Sequence, residues 1–201
     1  MTTETRIQVY TDGSVRKIGD KKYKGGWGYV AYVGDPETTK HSFCDYGHSE
    51  LTTSNIMEMT AAIEAIKKFK DSKFPVTIIS DSQYLVKNIN ERLPIWKLHG
   101  WKTNANKPIK NKDLWVWLDK QDLKSYTFEW VKGHSGDHGN ERADELANWG
   151  SDQKGYKFEQ LDREDSKFSR LNGKHKHYCM EWDQMAIDAS CPEYECCRCY
   201  K

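Results

Sequence analysis

Four carboxylates stand where acids are uncommon: Asp12 after the alternating run RIQVYT, Asp81 directly after VTIIS, Glu58 beside an apolar helical stripe, and Asp144 in the segment ERADELANW. Acids gathered at the edge of a core repel one another and lose hydration, so they are tolerated chiefly where cations neutralise them. Hard oxygen ligands select Mg²⁺ or Mn²⁺, and paired divalent ions serve phosphoryl chemistry. Taken one at a time, each acid reads more readily as a surface residue or turn former, Asp12 before Gly13 being an ordinary turn pair.

The elements that must position them follow from periodicity. RIQVYTDGS alternates and ends in Asp-Gly, which predicts a strand stopping in a turn with Asp12 at its end. GGWGYVAYVG and KHSFCDYGH are glycine-bounded runs rich in β-formers, so three antiparallel strands are expected. From Ser54 the period changes: Ile56, Met59, Ala62, Ile63, Ile66 and Phe69 recur every three or four residues, a helix that carries Glu58. Pro75 ends it, VTIIS is a short buried-type strand, and SQYLVKNINERL suits a following helix. LWVWLDKQDL reads as helix, YTFEWV as a last strand, GHSGDHGN as a glycine-rich loop, and ERADELANW as a final helix bearing Asp144. That order of strands and helices argues for a mixed sheet with helices packed on its faces.

The 201 residues suffice for one α/β domain with an appendage. Hydrophobic residues at 37% supply a core, which excludes general disorder, and neither an 18-residue apolar run nor a secretory leader is present. A cytoplasmic, monomeric protein with no membrane association is expected. The net charge of +1 decides nothing about partners, but lysines cluster at 97–112 and basic residues at 16–24. Cys44 stands alone before residue 150, whereas Cys179, Cys191, Cys196, Cys197 and Cys199 crowd the end. The expected division is a main domain at 1–150 and, at 151–201, a polar linker with a Cys/His-rich tail.

YTDGS at 10–14, TTSNIMEMTAAIEAI at 52–66, ISDSQYL at 79–85, GWKTNANKPIKNKDLW at 100–115 and WVKGHSGDHGNERADELA at 130–147 together resemble type one ribonuclease H, in order and across nearly all of residues 6–150. The resemblance implies an α/β ribonuclease H-like fold, a five-stranded mixed sheet with helices on both faces. It further implies hydrolysis of the RNA strand of an RNA–DNA hybrid to 5′-phosphate and 3′-hydroxyl ends by two Mg²⁺ ions, with Mn²⁺ as a substitute. Asp12, Glu58, Asp81 and Asp144 match the family's metal-binding acids. His134 matches its histidine for proton transfer or product departure, in a loop that Gly133, Gly136 and Gly139 would let move. Thr53, Ser54, Asn55 and Gln83 match positions that touch backbones and 2′-hydroxyls. Asn111 matches a residue that holds a DNA phosphate. Trp96 and Trp101 with Lys97, Lys102, Lys107 and Lys110 resemble a basic protrusion, in which a tryptophan packs on deoxyribose.

Plain structural roles compete with several of these readings: Thr53 or Ser54 as a helix cap, the tryptophans as core. The sequence departs from the family pattern at Leu51, where many members carry arginine, and with the first strand at its start no separate N-terminal hybrid-binding domain, such as many eukaryotic members carry, is expected. Weaker, lysine-dependent hybrid affinity and low processivity are the corresponding expectations, with the lysines at 16–24 as compensation.

In the tail, the pattern C-x₁₁-C-x₄-C-C-x-C, with His175 and His177 nearby, offers a structural zinc site through Cys179, Cys191, Cys196 and Cys199; a reduced, loosely ordered tail is the alternative, and disulfides rank last. Nine basic against ten acidic residues from 151 onward argue against a strong nonspecific nucleic-acid arm. A hybrid-binding module without catalysis and an integrase-like enzyme on the same fold are the competing functions.

Overall fold

The computed structural model describes residues 6–34, 42–152, 170–171 and 174–175. Among these residues, β1 (Ile7–Gly19), β2 (Lys22–Val33) and β3 (Ser42–Ser49) form an antiparallel meander. The helix α1 (Ser54–Phe69) then crosses to β4 (Val76–Ser80), which pairs parallel with β1. Three helices, α2 (Gln83–Lys87), α3 (Leu93–Leu98) and α4 (Lys112–Asp119), lead to β5 (Tyr126–Trp130), parallel to β4, and α5 (His138–Asp152) follows. The sheet order is β3-β2-β1-β4-β5, the expected five-stranded mixed sheet with helices on both faces.

Strand alternation divides the core. Ile7, Val9 and Ile78 face α1 and α4 with Met59, Ile66, Trp115 and Leu118. Tyr10, Val30, Tyr32 and Tyr46 face α5 with Ala143 and Leu146. Every residue of β4 is buried, which is why VTIIS is continuously apolar rather than alternating.

Three expected boundaries move. First, β1 does not stop at Asp12-Gly13: it continues to Gly19 and turns through Asp20-Lys21 into β2. Gly13 serves close approach, since a Cβ there would lie 2.3 Å from the Glu58 amide nitrogen on α1. Second, the helix expected over 82–93 is broken by a π-helical turn at Asn88–Arg92, where the Leu93 N–H donates to the Asn88 carbonyl. Pro94 has no N–H to offer Asn90, so the regular ladder fails there and resumes as α3. Third, α5 begins at His138, inside the stretch expected to be loop, and ends at Asp152. Gly139 is therefore helical, and it lets the Tyr10 ring approach within 2.4 Å of where a Cβ would stand.

In the tail, Arg170–Leu171 (β6) and Lys174–His175 (β7) pair antiparallel. The candidate zinc ligands Cys179, Cys191, Cys196 and Cys199, with His177, lie outside the described residues.

The helix α5 lies flush on β2 because Gly26 and Gly28 present no side chain: a Cβ on Gly26 would sit 2.1 Å from the Ala147 carbonyl oxygen. Backbone against backbone cannot give way as a flexible side chain would. Gly26→Ala is expected to destabilise the fold by about 2 kcal/mol or more, read as a lower urea midpoint with unchanged slope.

Candidate active site

The parallel ladder between β1 and β4 ends at the pair Thr11 and Ser80, so Asp12, within β1, and Asp81, just past the end of β4, emerge side by side where the two central strands part. In open sheets this edge is where ligands bind. Glu58 arrives from the opposite layer: α1 is capped by Thr53, whose Oγ1 accepts from the Ile56 N–H, and its second turn presses on Gly13. One carboxylate oxygen from each of Asp12, Glu58 and Asp81 lies within 4.8 Å of the others.

Asp12 and Glu58 are buried, at 6% and 8% exposure. Burial first, then the Asp81 charge and more weakly that of Asp144, push the Asp12 carboxyl up to about 7, against the 2.6 Å hydrogen bond it accepts from the Gly13 N–H. Burial and the charges of Asp12 and Asp81 hold Glu58 well above the ordinary carboxylate range. Its Oε2 is buried with no hydrogen-bond partner. A buried oxygen without a donor, facing two further carboxylates, is poor design for a protein alone and a good fit for a hard divalent cation.

Asp144, on α5, stands outside this trio and is half-buried. Its Oδ1 accepts from Asn148 Nδ2 at 3.0 Å, and Asn148 Oδ1 accepts from Ser14 Oγ at 2.7 Å, which ties the fourth acid to β1. The sequence reading did not single out Ser14 or Asn148, although an acid and an amide four apart on a helix are a readable pair. Trp130 was likewise passed over; its indole N–H donates to the Asp81 carbonyl at 3.0 Å.

His134 is exposed and left-handed, at φ 51°, on the loop after β5. That loop rests on the site, since a Cβ on Gly133 would fall 2.4 Å from Asp81 Oδ2. Thr53, Ser54 and Asn55 lie exposed at the start of α1, one turn before Glu58, and Gln83 opens α2 just beyond Asp81. Gln83 Oε1 accepts from Lys87 Nζ.

Asn111 is left-handed at φ 55°, and its Nδ2 donates to the Tyr84 hydroxyl, which also accepts from Trp115 Nε1. Trp96 is half-buried against Trp115, ring centroids 5.5 Å apart, so much of its surface is spent on core packing. Trp101 is half-buried too, whereas Lys102, Lys107 and Lys110 are exposed. Lys97 is paired with Asp119 at 3.0 Å. Leu51 is exposed, at φ 52°. Among the described residues no helix is long and apolar enough to cross a membrane.

A mixed five-stranded sheet with three clustered acids where its two central strands part defines a scaffold that could hold a metal ion. Comparison with known proteins then gives the family. A profile of the RNase H family matches residues 4–152. Ribonuclease HI of Pseudomonas aeruginosa is 42% identical over 151 residues, 75% of this chain and 96% of that protein. The solution structure of the PFV RNase H domain is 30% identical with a TM-score of 0.62, covering 74% of this chain and 96% of that one. The foamy viral protease-reverse transcriptase in complex with RNA/DNA hybrid is 29% identical with a TM-score of 0.65, over 74% of this chain and 20% of that one. The chain belongs to the RNase H family. Its class of activity is that of an endoribonuclease, a phosphodiester hydrolase.

The raised Asp12 value fixes a pH dependence. Its folded-state value of about 7 lies above the ordinary 3.8, so between the two the folded chain keeps a proton that the unfolded chain releases. In metal-free protein this contribution to stability is complete below about pH 4 and is lost as pH rises through about 7. Urea unfolding in EDTA at pH 5 and pH 8 should show the loss. Asp12→Asn should flatten the dependence and raise stability at pH 8 by on the order of 1 kcal/mol. An equal pH dependence in wild type and variant would contradict the assignment.

Proposed function

We propose that this protein hydrolyses the RNA strand of RNA–DNA hybrids, leaving 5′-phosphate and 3′-hydroxyl ends, at a divalent metal centre held by Asp12, Glu58, Asp81 and, at its rim, Asp144. The observation that carries the reading is the mutually repelling trio, buried Asp12 and Glu58 beside half-buried Asp81, with the unpartnered Glu58 oxygen. Family membership and a fold neighbour captured with an RNA/DNA hybrid support it. Bound Mg²⁺, or Mn²⁺ in its place, supplies an activated water and neutralises charge that develops on the scissile phosphate.

The chain's own residues do the rest. Asp12, Glu58 and Asp81 are fixed by two strand ends and a helix, so the negative pocket exists before substrate arrives. Asn148, braced by Ser14, orients the Asp144 carboxylate. His134, exposed beside Asp81, takes or returns a proton at the departing 3′-oxygen, and Gly133 and Gly136 give its loop freedom.

Hybrid selection belongs to small polar groups that reach a wide, shallow minor groove. The Thr53 hydroxyl accepts from Ile56, so its proton remains for a backbone or 2′-oxygen. Gln83 accepts from Lys87 and keeps its amide protons. Ser54 and Asn55 are exposed on the same turn. Asn111 retains one amide proton for a DNA phosphate, and Lys102, Lys107 and Lys110 add cations to it. Trp101 and the exposed part of Trp96 are the remaining surfaces for a sugar.

The test is cleavage of a labelled RNA–DNA hybrid beside RNA and DNA duplexes, in Mg²⁺, in Mn²⁺ and in EDTA. Cutting confined to the RNA of the hybrid and lost in EDTA is the expected result; Asp81→Asn should lower kcat by about a hundredfold or more. Asn148→Ala, which leaves every acid in place, should lower it by about tenfold. Metal-independent binding without cleavage would favour a pure hybrid-binding module, and cleavage of DNA duplexes an integrase-like enzyme.

A further inference from the structure

The β1–β2 hairpin runs well past the carboxylates and carries Arg16, Lys17, Lys21, Lys22 and Lys24 against a single acid, Asp20. Its two faces differ. On one, Arg16 is spent: its guanidinium donates to Ser151 Oγ at 3.0 Å and pairs with Asp152 at 2.9 Å, which pins the root of the hairpin to α5. On the other, Val15 and Gly25 pair across the strands over α1, a Cβ on Gly25 falling 2.5 Å from Thr52 Cγ2 and Met57 Cγ. Two residues further out Lys17 and Tyr23 pair, and strand alternation puts them on that same side.

The Tyr23 carbonyl accepts the Thr52 N–H at 2.9 Å, so this face is stitched to the chain just ahead of Thr53, Ser54 and Asn55. Lys17, Lys21 and Lys22 are exposed and have no carboxylate partner among the described residues, unlike Lys67 and Lys97, which are paired with Glu64 and Asp119. Tyr23 and Ile18 are exposed beside them, at 39% and 48%.

We infer that this hairpin is a fixed phosphate-binding arm, in which Lys17, Lys21 and Lys22 contact the backbone of an RNA–DNA hybrid beyond the cleavage site, with Tyr23 against its sugars. The inference rests on the hybrid being the substrate. Unpaired cations on a hairpin anchored on both faces meet a polyanion without the entropy loss of ordering a loose loop. At about 3.3 Å per residue Lys17 stands roughly 17 Å along β1 from Asp12, and phosphates of one strand repeat every 3.4 Å or so. Laid along the duplex, an arm of that length would meet phosphates up to about five base pairs from the reacting one.

The test compares wild type, Lys17→Ala/Lys21→Ala/Lys22→Ala, and Lys68→Ala/Lys70→Ala/Lys73→Ala, three exposed lysines at the far end of α1 that remove the same charge elsewhere. Binding of a fluorescent 20-base-pair RNA–DNA hybrid is titrated in EDTA from 50 to 300 mM KCl, and kcat and KM are measured in Mg²⁺. The arm variant should lower the slope of log K against log salt by about 2–3 and raise KM by about tenfold with kcat within twofold, the control triple moving neither. A slope and KM equal to wild type, or a loss matched by the control, would overturn the arm while leaving hybrid cleavage standing. A wild-type chain that neither binds nor cuts the hybrid would overturn both.

Discussion

Three carboxylates held within reach of one ion are the constraint around which the rest of this structure is arranged. Like charges at such separations in a partly dry site repel by several kcal/mol, and each also loses hydration. The fold holds Asp12, Glu58 and Asp81 together, and burial with the neighbouring charges pushes the Asp12 and Glu58 carboxyls up. Immobility has three sources: the end of a parallel ladder for Asp12 and Asp81, a capped helix for Glu58, and backbone contact at Gly13 that joins them.

Rigidity of that kind has to come from packing on both faces of the sheet. A strand end is fixed only as firmly as the strand, and β1 and β4 are central, fully paired and covered by a layer on each side. The glycines of β2 bring α5 onto the sheet without intervening side chains, and the same helix delivers Asp144 and Asn148. Adding a side chain at Gly26 or Gly28 would thus act on the site through helix height rather than through contact. The same scaffold holds the Glu58 Oε2 buried without a hydrogen-bond partner.

Much of this was legible in the residues. The change from twofold to 3.6-fold periodicity at Ser54, the unbroken VTIIS run before Asp81 and the stripe behind Glu58 each follow from what one face of an element must bury. What misled was glycine, which carries two meanings. At Asp12-Gly13 and at Gly139 it reads as turn or loop, yet both positions serve close approach to a partner distant in sequence, Glu58 and Tyr10, which no local pattern reveals. The break before Pro94 was legible in principle but its π-helical form was not, because it depends on where the helix must resume to seat Leu93 and Trp96. Tryptophan was ambiguous for the same reason: Trp96 beside lysines looks like a nucleic-acid contact, but Trp115 beneath it decides how much of the ring is left.

The two kinds of group at the site are sorted by water. Asp12 and Glu58 lie deep, where a low dielectric strengthens every charge interaction and burial pushes both carboxyls up. Asp144 is half-buried and His134 exposed, and both belong to the last loop and helix rather than to the central strands. A group that must exchange protons or let product leave during each turnover works better where water reaches it, since a buried ionisable group pays desolvation every time its charge changes. Burial therefore falls from Asp12 and Glu58, through the half-buried Asp81 and Asp144, to the exposed His134. A loop seated on Asp81 through Gly133 keeps the two zones adjacent without merging them.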